Sequence, residues 1–161
     1  MHKWYVGVEC FKCGMYWQGI VHDLSKFSWT EFFGSAKYFQ GDSTPIGAEK
    51  RERGYSLAWL NHKGRNKHHW EYWTDFYAGE IKPVEIPIKY IREMACDMVG
   101  AGKAYNNNTG GKWDRGEPLK YFRDRRDKFI MVAYSKAMLE AFLSCYKYNG
   151  VVDYKVSKIK P

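Results

Sequence analysis

Five histidines, His2, His22, His62, His68 and His69, all fall in the first 69 residues of the 161-residue chain, and Asp23 directly follows His22. Imidazoles offer neutral nitrogen ligands, and a carboxylate offers an oxygen that can bridge two cations. That mixture suits Mn, Fe, Ni, Co or Zn better than Ca. Any one of these histidines taken alone reads as an ordinary surface or core residue. Gathered in one part of the chain, they point to one or two divalent transition metals. Neighbouring positions on a helix point about a hundred degrees apart, so a helical His22-Asp23 dyad would face two cations with Asp23 between them. Two metals about 3.5–4 Å apart polarise a phosphoryl oxygen for in-line attack.

The elements expected to position these residues are helices. Trp4, Val8, Phe11, Met15 and Gln18 recur at three- and four-residue steps, which predicts a first helix over residues 3–18 with His2 at its start. A second helix would hold His22 and Asp23. Ser28-Trp29-Thr30-Glu31 has the S-x-x-E form of a capping box and predicts a helix from Ser28 to near Phe39, leaving Lys26 and Phe27 at a junction. Residues 40–48 lack periodicity and read as a loop. Tyr55, Ala58, Trp59 and His62 restore helical spacing, with Gly64 placed to end that helix and Asn66 to cap the next, putting His68 and His69 in its first turn. Residues 79–85 read as extended. Pro87 fits the start of a long helix that carries Asp97 and runs to about Lys103. Residues 106–116 form a polar, glycine-rich connection without a phosphate-cradling pattern. A last helix from Pro118 to about Tyr148 closes an all-α bundle, a single domain over residues 1–161.

Composition narrows the function classes. With 45% hydrophobic and 18% aromatic residues, the chain is a packed globular protein and not a disordered one. Its longest apolar stretch, Phe129 to Tyr148, is interrupted by Lys136 and Glu140, which argues against a bilayer span, and MHKWYVGVEC does not have the form of a secretory signal. A cytoplasmic location is expected, with no membrane partner. Cys10 and Cys13 form a lone CxxC, which with Cys96 and Cys145 reads as reduced, mostly buried thiols. The formal charge of +8 favours an anionic partner such as a nucleotide, a phosphoester or nucleic acid. Lys26, Arg65, Asn66 and Lys67 adjoin the ligands and could bind nonbridging phosphoester oxygens; solvated charge at helix ends is the alternative for Arg65 and Lys67. Trp70, Tyr72, Trp73, Phe76 and Tyr77 could stack a base, although their helical spacing favours a core role. The mixed-sign run from Arg123 to Lys128 reads as a solvated helix face. Oligomeric state is not legible.

In chain order the candidates are His2, His22-Asp23, His62, His68-His69 and Asp97. This order resembles the HD superfamily of metal-dependent phosphohydrolases, and the inserted His and His-His pair are similar to its binuclear HD-GYP subgroup, although the GYP signature is absent. HDLSK is similar to the HDIGK form whose lysine faces the phosphate. The HDLSKF and HHWEYW runs resemble a small group found in bacteria and their phages. The resemblance implies an HD-domain-like helical bundle. It implies one metal among His2, His22, Asp23 and Asp97, and another among Asp23, His62, His68 and His69. It further implies phosphoester hydrolysis, on a nucleotide, cyclic nucleotide or short oligonucleotide, with Asp23 and Lys26 at the chemistry. Two other functions suit the same residues: oxygen activation by two irons on this scaffold, and noncatalytic binding of nucleic acid or a protein partner around a structural metal.

Overall fold

Apolar residues at three- and four-residue spacing form helices along most of the described chain, which comprises residues 1–39 and 44–153 of a computed structural model. In order the elements are α1 (His2–Lys12), α2 (Tyr16–Val21), α3 (Trp29–Lys37), α4 (Pro45–Arg53), α5 (Leu57–Arg65), strands β1 (Thr74–Tyr77) and β2 (Glu80–Pro83), α6 (Ile88–Thr109), α7 (Glu117–Asp124) and α8 (Ala133–Asn149). Short 3-10 turns cover Leu24–Phe27, Trp70–Trp73 and Arg126–Lys128. The architecture is mostly helical, with one small antiparallel hairpin among the described residues. No helix among them is long and apolar enough to cross a membrane. The chain separates into two compact units, Met1–His22 together with the chain from Trp73 onward, and Asp23–Tyr72.

In the first unit, α1 buries Val6 and Cys10 against α6, whose Ile91, Ala95 and Val99 are fully buried in turn. Gly100 sets how closely the two helices approach: a Cβ there would collide with Val6 Cγ2 and lie 2.9 Å from the Val6 backbone nitrogen. The expected first helix over residues 3–18 ends early, because Gly14 turns the chain at φ +72° and α2 restarts at Tyr16. Nor do His22 and Asp23 continue a helix. His22 is the extended C-cap residue of α2, and Asp23 is left-handed at φ 57° and ψ 23°. Residues 79–85 are extended only in part, as β2, which pairs with β1 through a two-residue turn. Ala78 and Gly79 both have positive φ, as a tight hairpin turn requires. Phe76 and Tyr77 therefore lie in β1 and are exposed, so the helical-core reading of the aromatic run fails for these two.

α6 outlasts its expected end at Lys103, reaching Thr109 before left-handed Gly110 caps it. The expected last helix is two helices, α7 and α8. Arg123 Nε lies 2.7 Å from Glu140 Oε1 and Arg126 Nε 3.5 Å from Glu140 Oε2. One unbroken helix would hold Arg123 and Glu140 about 25 Å apart at 1.5 Å per residue, so the chain must fold back between them. Part of the mixed-sign run thus joins α7 to α8. Phe122, Leu139, Phe142 and Leu143 fill the space between these helices and α6.

The second unit is organised by caps. Ser28 Oγ accepts the Glu31 N–H at 3.5 Å, starting α3 where the S-x-x-E run places it. Thr44 Oγ1 accepts from Gly47 N–H at 3.2 Å and Pro45 takes the first position of α4, so residues 45–48 are helical where a loop was expected; residues 40–43 lie outside the described chain. Ser56 Oγ accepts from Trp59 N–H at 3.0 Å to start α5, and Glu49 reaches across from α4 to take the Ser56 hydroxyl and the Leu57 N–H. Gly64 does not terminate α5, which runs one residue further to Arg65. Asn66 closes α5 and opens no new helix, because its side-chain amide donates to the His62 carbonyl oxygen at 2.8 Å; His68 and His69 lie in the turn beyond it. The buried residues of this unit are largely polar: Asp23, Glu31, Glu49, Ser56, His62 and His68, beside Tyr38, Ala48 and Ala58.

Candidate metal centres

The first unit assembles His2, His22 and Asp97, with one ligand atom from each within 4.8 Å of the others. His2 stands at the start of α1, His22 ends α2, and Asp97 projects from the middle of α6. His22 is fully buried between two carboxylates, its Nδ1 lying 3.2 Å from Glu93 Oε1 and its Nε2 3.4 Å from Asp97 Oδ1. An ionised carboxylate only accepts, so a hydrogen bond to Glu93 requires a proton on Nδ1, while Nε2 faces Asp97. His2 Nε2 approaches the same oxygen to 3.0 Å. Glu93 precedes Asp97 by four residues and so shares its face of α6. That spacing was the available signal for Glu93, which sequence reasoning passed over.

The second unit repeats this arrangement. His62, His68 and His69 bring ligand atoms within 4.8 Å of one another. Asp23 Oδ1 lies 3.3 Å from His62 Nε2 and 3.4 Å from His68 Nε2, while His62 Nδ1 meets Glu31 Oε2 at 2.8 Å. Glu31 thus does more than continue a capping box: Ser28 takes its N–H, and its carboxylate orients a histidine. Ser25 Oγ lies 3.2 Å from His62 Nδ1, and Asn66 donates to Ser25 Oγ at 2.7 Å. The Trp59 ring lies over His62, with centroids 5.6 Å apart and planes inclined by 26°, which restricts rotation of the imidazole. Burial pushes the Glu71 carboxyl above its ordinary range, and Lys63, Lys50 and His62 offset this only in part.

Both donor sets fit a transition metal. Bonds near 2.1 Å at right or tetrahedral angles place ligand atoms about 2.9–3.4 Å apart. The separations of 3.0 to 3.4 Å between the imidazole Nε2 atoms and Asp oxygens fall in that range. In each unit one of the two histidines facing the aspartate, His22 or His62, is backed by a second carboxylate on its other nitrogen, the usual support for a metal-binding imidazole.

The residues assigned to phosphate have different surroundings. Lys26 Nζ contacts Asp23 Oδ2 at 2.5 Å, yet its side chain is 47% exposed and free to reach a bound anion. Asn66 spends its amide on Ser25 and on the His62 carbonyl oxygen. Arg65 is exposed in the last turn of α5, and Lys67 Nζ lies 5.8 Å from the centre of the Tyr72 ring. Among the thiols, Cys10, Cys13 and Cys96 are buried and Cys145 is partly buried, all reduced. Cys13 donates to the Val152 carbonyl oxygen at 3.1 Å. Hydrogen bonding with Cys96 holds the Cys13 thiol below its ordinary pKa, and burial raises Cys96 well above its own.

Fold and site define a mostly helical protein in which, among the described residues, each compact unit gathers histidines beside an aspartate. The chain belongs to the Family of unknown function (DUF5662), whose model matches residues 1–144 and so spans every residue of both clusters. No curated protein and no solved structure matches it.

Proposed function

We propose that the chain is a metal-dependent phosphohydrolase on an HD-domain-like helical scaffold. One divalent transition metal would be held by His2, His22 and Asp97, and another by His62, His68 and His69 with the Asp23 carboxylate beside them. The observation that carries this reading is the repeated arrangement of carboxylate, imidazole and aspartate: Glu93, His22 and Asp97 in one unit, Glu31, His62 and Asp23 in the other. Two buried carboxylates on one imidazole bring negative charge that must be offset, and a metal beside Nε2 with three or more N and O ligands would offset it. Once bound, such an ion polarises a phosphoryl oxygen and lowers the pKa of water. The remaining work falls to side chains. Glu31, Ser25 and Trp59 fix the ring of His62, and Lys26 can move from Asp23 onto a nonbridging oxygen, where its charge stabilises the transition state. The net charge of +8 draws anions toward the protein.

The test is elemental analysis of untagged protein, followed by turnover of a model phosphodiester with added Mn. Metal should be present, EDTA should abolish turnover, and Lys26→Ala should keep the metal while slowing kcat by about 10- to 100-fold, the scale of losing one electrostatic contact to the transition state. Metal content under about 0.2 equivalents after metal-supplemented expression would sink the proposal, given the ligands available. Oxygen uptake by iron-loaded protein without metal-dependent turnover would select the di-iron oxygenase reading, and nucleic-acid binding that survives chelation would select the noncatalytic one.

A further inference from the structure

One short run of the second unit keeps its large apolar side chains out of the core. Leu24, Phe27, Trp29, Phe32, Phe33 and Phe39 are all exposed, Phe27 by 71% and Trp29 by 80%. Four of them form a continuous surface along α3. The Trp29 ring stacks on Phe33 with centroids 5.0 Å apart, Phe32 meets Phe33 edge-on at 5.4 Å, and Phe32 and Phe39 line one open cavity. Apolar exposure on this scale marks an interaction surface, and charge narrows the partner. Of the acids described in this unit, Asp23, Glu31 and Glu49 are buried and Glu71 is partly buried, so Glu52 is the one exposed carboxylate among them. Seven lysines and arginines are exposed: Lys26 and Lys37 within the aromatic run, Lys50, Arg51 and Arg53 on α4, and Arg65 and Lys67 around the end of α5.

We infer that this run is an interfacial anchor, which lays Trp29, Phe33 and their neighbours into the headgroup layer of an anionic lipid bilayer while the basic residues meet the lipid charges. Aromatic side chains with lysine among them are the composition favoured at a membrane-water interface. The basic surface opposes pairing of two copies, which would bring like charges together. A fixed protein partner must match the shape of these rings, whereas a side chain four-fifths exposed enters a fluid interface without a matching pocket. Contact of this kind requires no spanning helix. The expectation of no membrane partner rested on the absence of a span and of a secretory signal, neither of which an interfacial contact uses. Membrane contact and phosphoester hydrolysis stand independently.

Co-sedimentation of the full chain with vesicles tests this, using phosphatidylcholine alone and phosphatidylcholine mixed with phosphatidylserine. The chain should bind the mixed vesicles tighter by on the order of tenfold or more. Raising salt from about 0.1 to 1 M, which shortens the screening length from about 10 to 3 Å, should remove most of that preference. Trp29→Ser and Phe33→Ser should each weaken binding on the order of tenfold, the scale of burying one aromatic side chain, with melting temperature and metal content unchanged because both rings are exposed. Lys37→Glu should weaken binding to the mixed vesicles and leave binding to the neutral ones unchanged. No retention by the mixed vesicles, equal retention by both kinds, or retention that survives Trp29→Ser and Phe33→Ser together would overturn the inference. So would a dimer in sedimentation velocity that Trp29→Ser abolishes, since the same face would then serve a second copy.

Discussion

Asp23 combines two demands in one residue, a carboxylate against two imidazoles and a backbone at φ 57°. Left-handed conformation costs an ordinary L-residue about 1 kcal/mol, and asparagine and aspartate adopt it most readily. Two substitutions therefore separate its roles. In EDTA, Asp23→Asn should melt at nearly the temperature of the parent chain, yet with Mn it should lose most of the metal at His62, His68 and His69 and the stabilisation that metal adds. Asp23→Ala should lose that metal and also about 1 kcal/mol of stability from backbone strain. Melting curves and elemental analysis read both effects, and a full metal complement in Asp23→Asn would remove Asp23 from the ligand set. The dyad was visible in sequence because two ligand types stand side by side. Its geometry was not, since a left-handed break after an extended His22 leaves no periodic signal. Glu31 and Glu93 escaped notice for another reason: a carboxylate at helical spacing looks the same whether it meets water or an imidazole.

At the level of elements, Gly100 fixes the spacing of the helices that carry His2 and Asp97. Gly100→Ala should raise intrinsic helix propensity by about 1 kcal/mol, yet the collision with Val6 should outweigh this and leave a net loss of about 1–2 kcal/mol. The displaced α1 should also lower metal occupancy at His2, His22 and Asp97; denaturant unfolding with metal analysis checks both, and a stabilised variant with full metal would contradict it.

Two buried ion contacts set opposite pH limits. Burial alone would lower the pKa of Lys103, but its contact with Glu9 Oε1 at 2.5 Å outweighs this and raises it. Its contribution is full below the unfolded lysine value near 10.4 and is lost as pH rises through the folded one. Burial tends to raise Glu49, but hydrogen bonds from Ser56, Leu57 and Ala58 outweigh it, so its contribution is full above roughly pH 4.3 and lost as pH falls through the folded value. Melting temperature should therefore decline at both extremes, with Lys103→Met flattening the alkaline limb and Ser56→Ala the acid limb; unchanged limbs in these variants would refute the assignment. The α3 start was legible because capping chemistry is local. By contrast α4 was missed, since its buried residues are only Ala48 and Glu49 and form no apolar stripe. The break between α7 and α8 was hidden because apolar residues recur on both sides of it.

Across the whole molecule, apolar burial is distributed unevenly. The second unit buries Tyr38, Ala48 and Ala58 as its apolar residues, with candidate ligands and their supports making up much of the rest. So short a segment with so little apolar core should depend on bound metal for stability. Mn at about a hundred times its dissociation constant should add about 2.7 kcal/mol. EDTA should speed amide hydrogen exchange in residues 23–72 more than in α6 and α8; equal effects in both regions would show that metal does not support this unit. Composition correctly indicated a packed protein, but nothing in it marks the two unit boundaries. One falls inside the His22-Asp23 pair and the other between Tyr72 and Trp73, with no glycine-, proline- or serine-rich linker at either.

That division also imposes an order of synthesis. His22 waits for Glu93, 71 residues later, whereas Glu31 and His62 are 31 residues apart. Every candidate ligand of the second unit has been translated by His69, before the ribosome reaches Asp97. The nascent chain thus carries one candidate donor set while His2 and His22 still lack their carboxylates, and the longer loop to Glu93 carries the larger closure entropy.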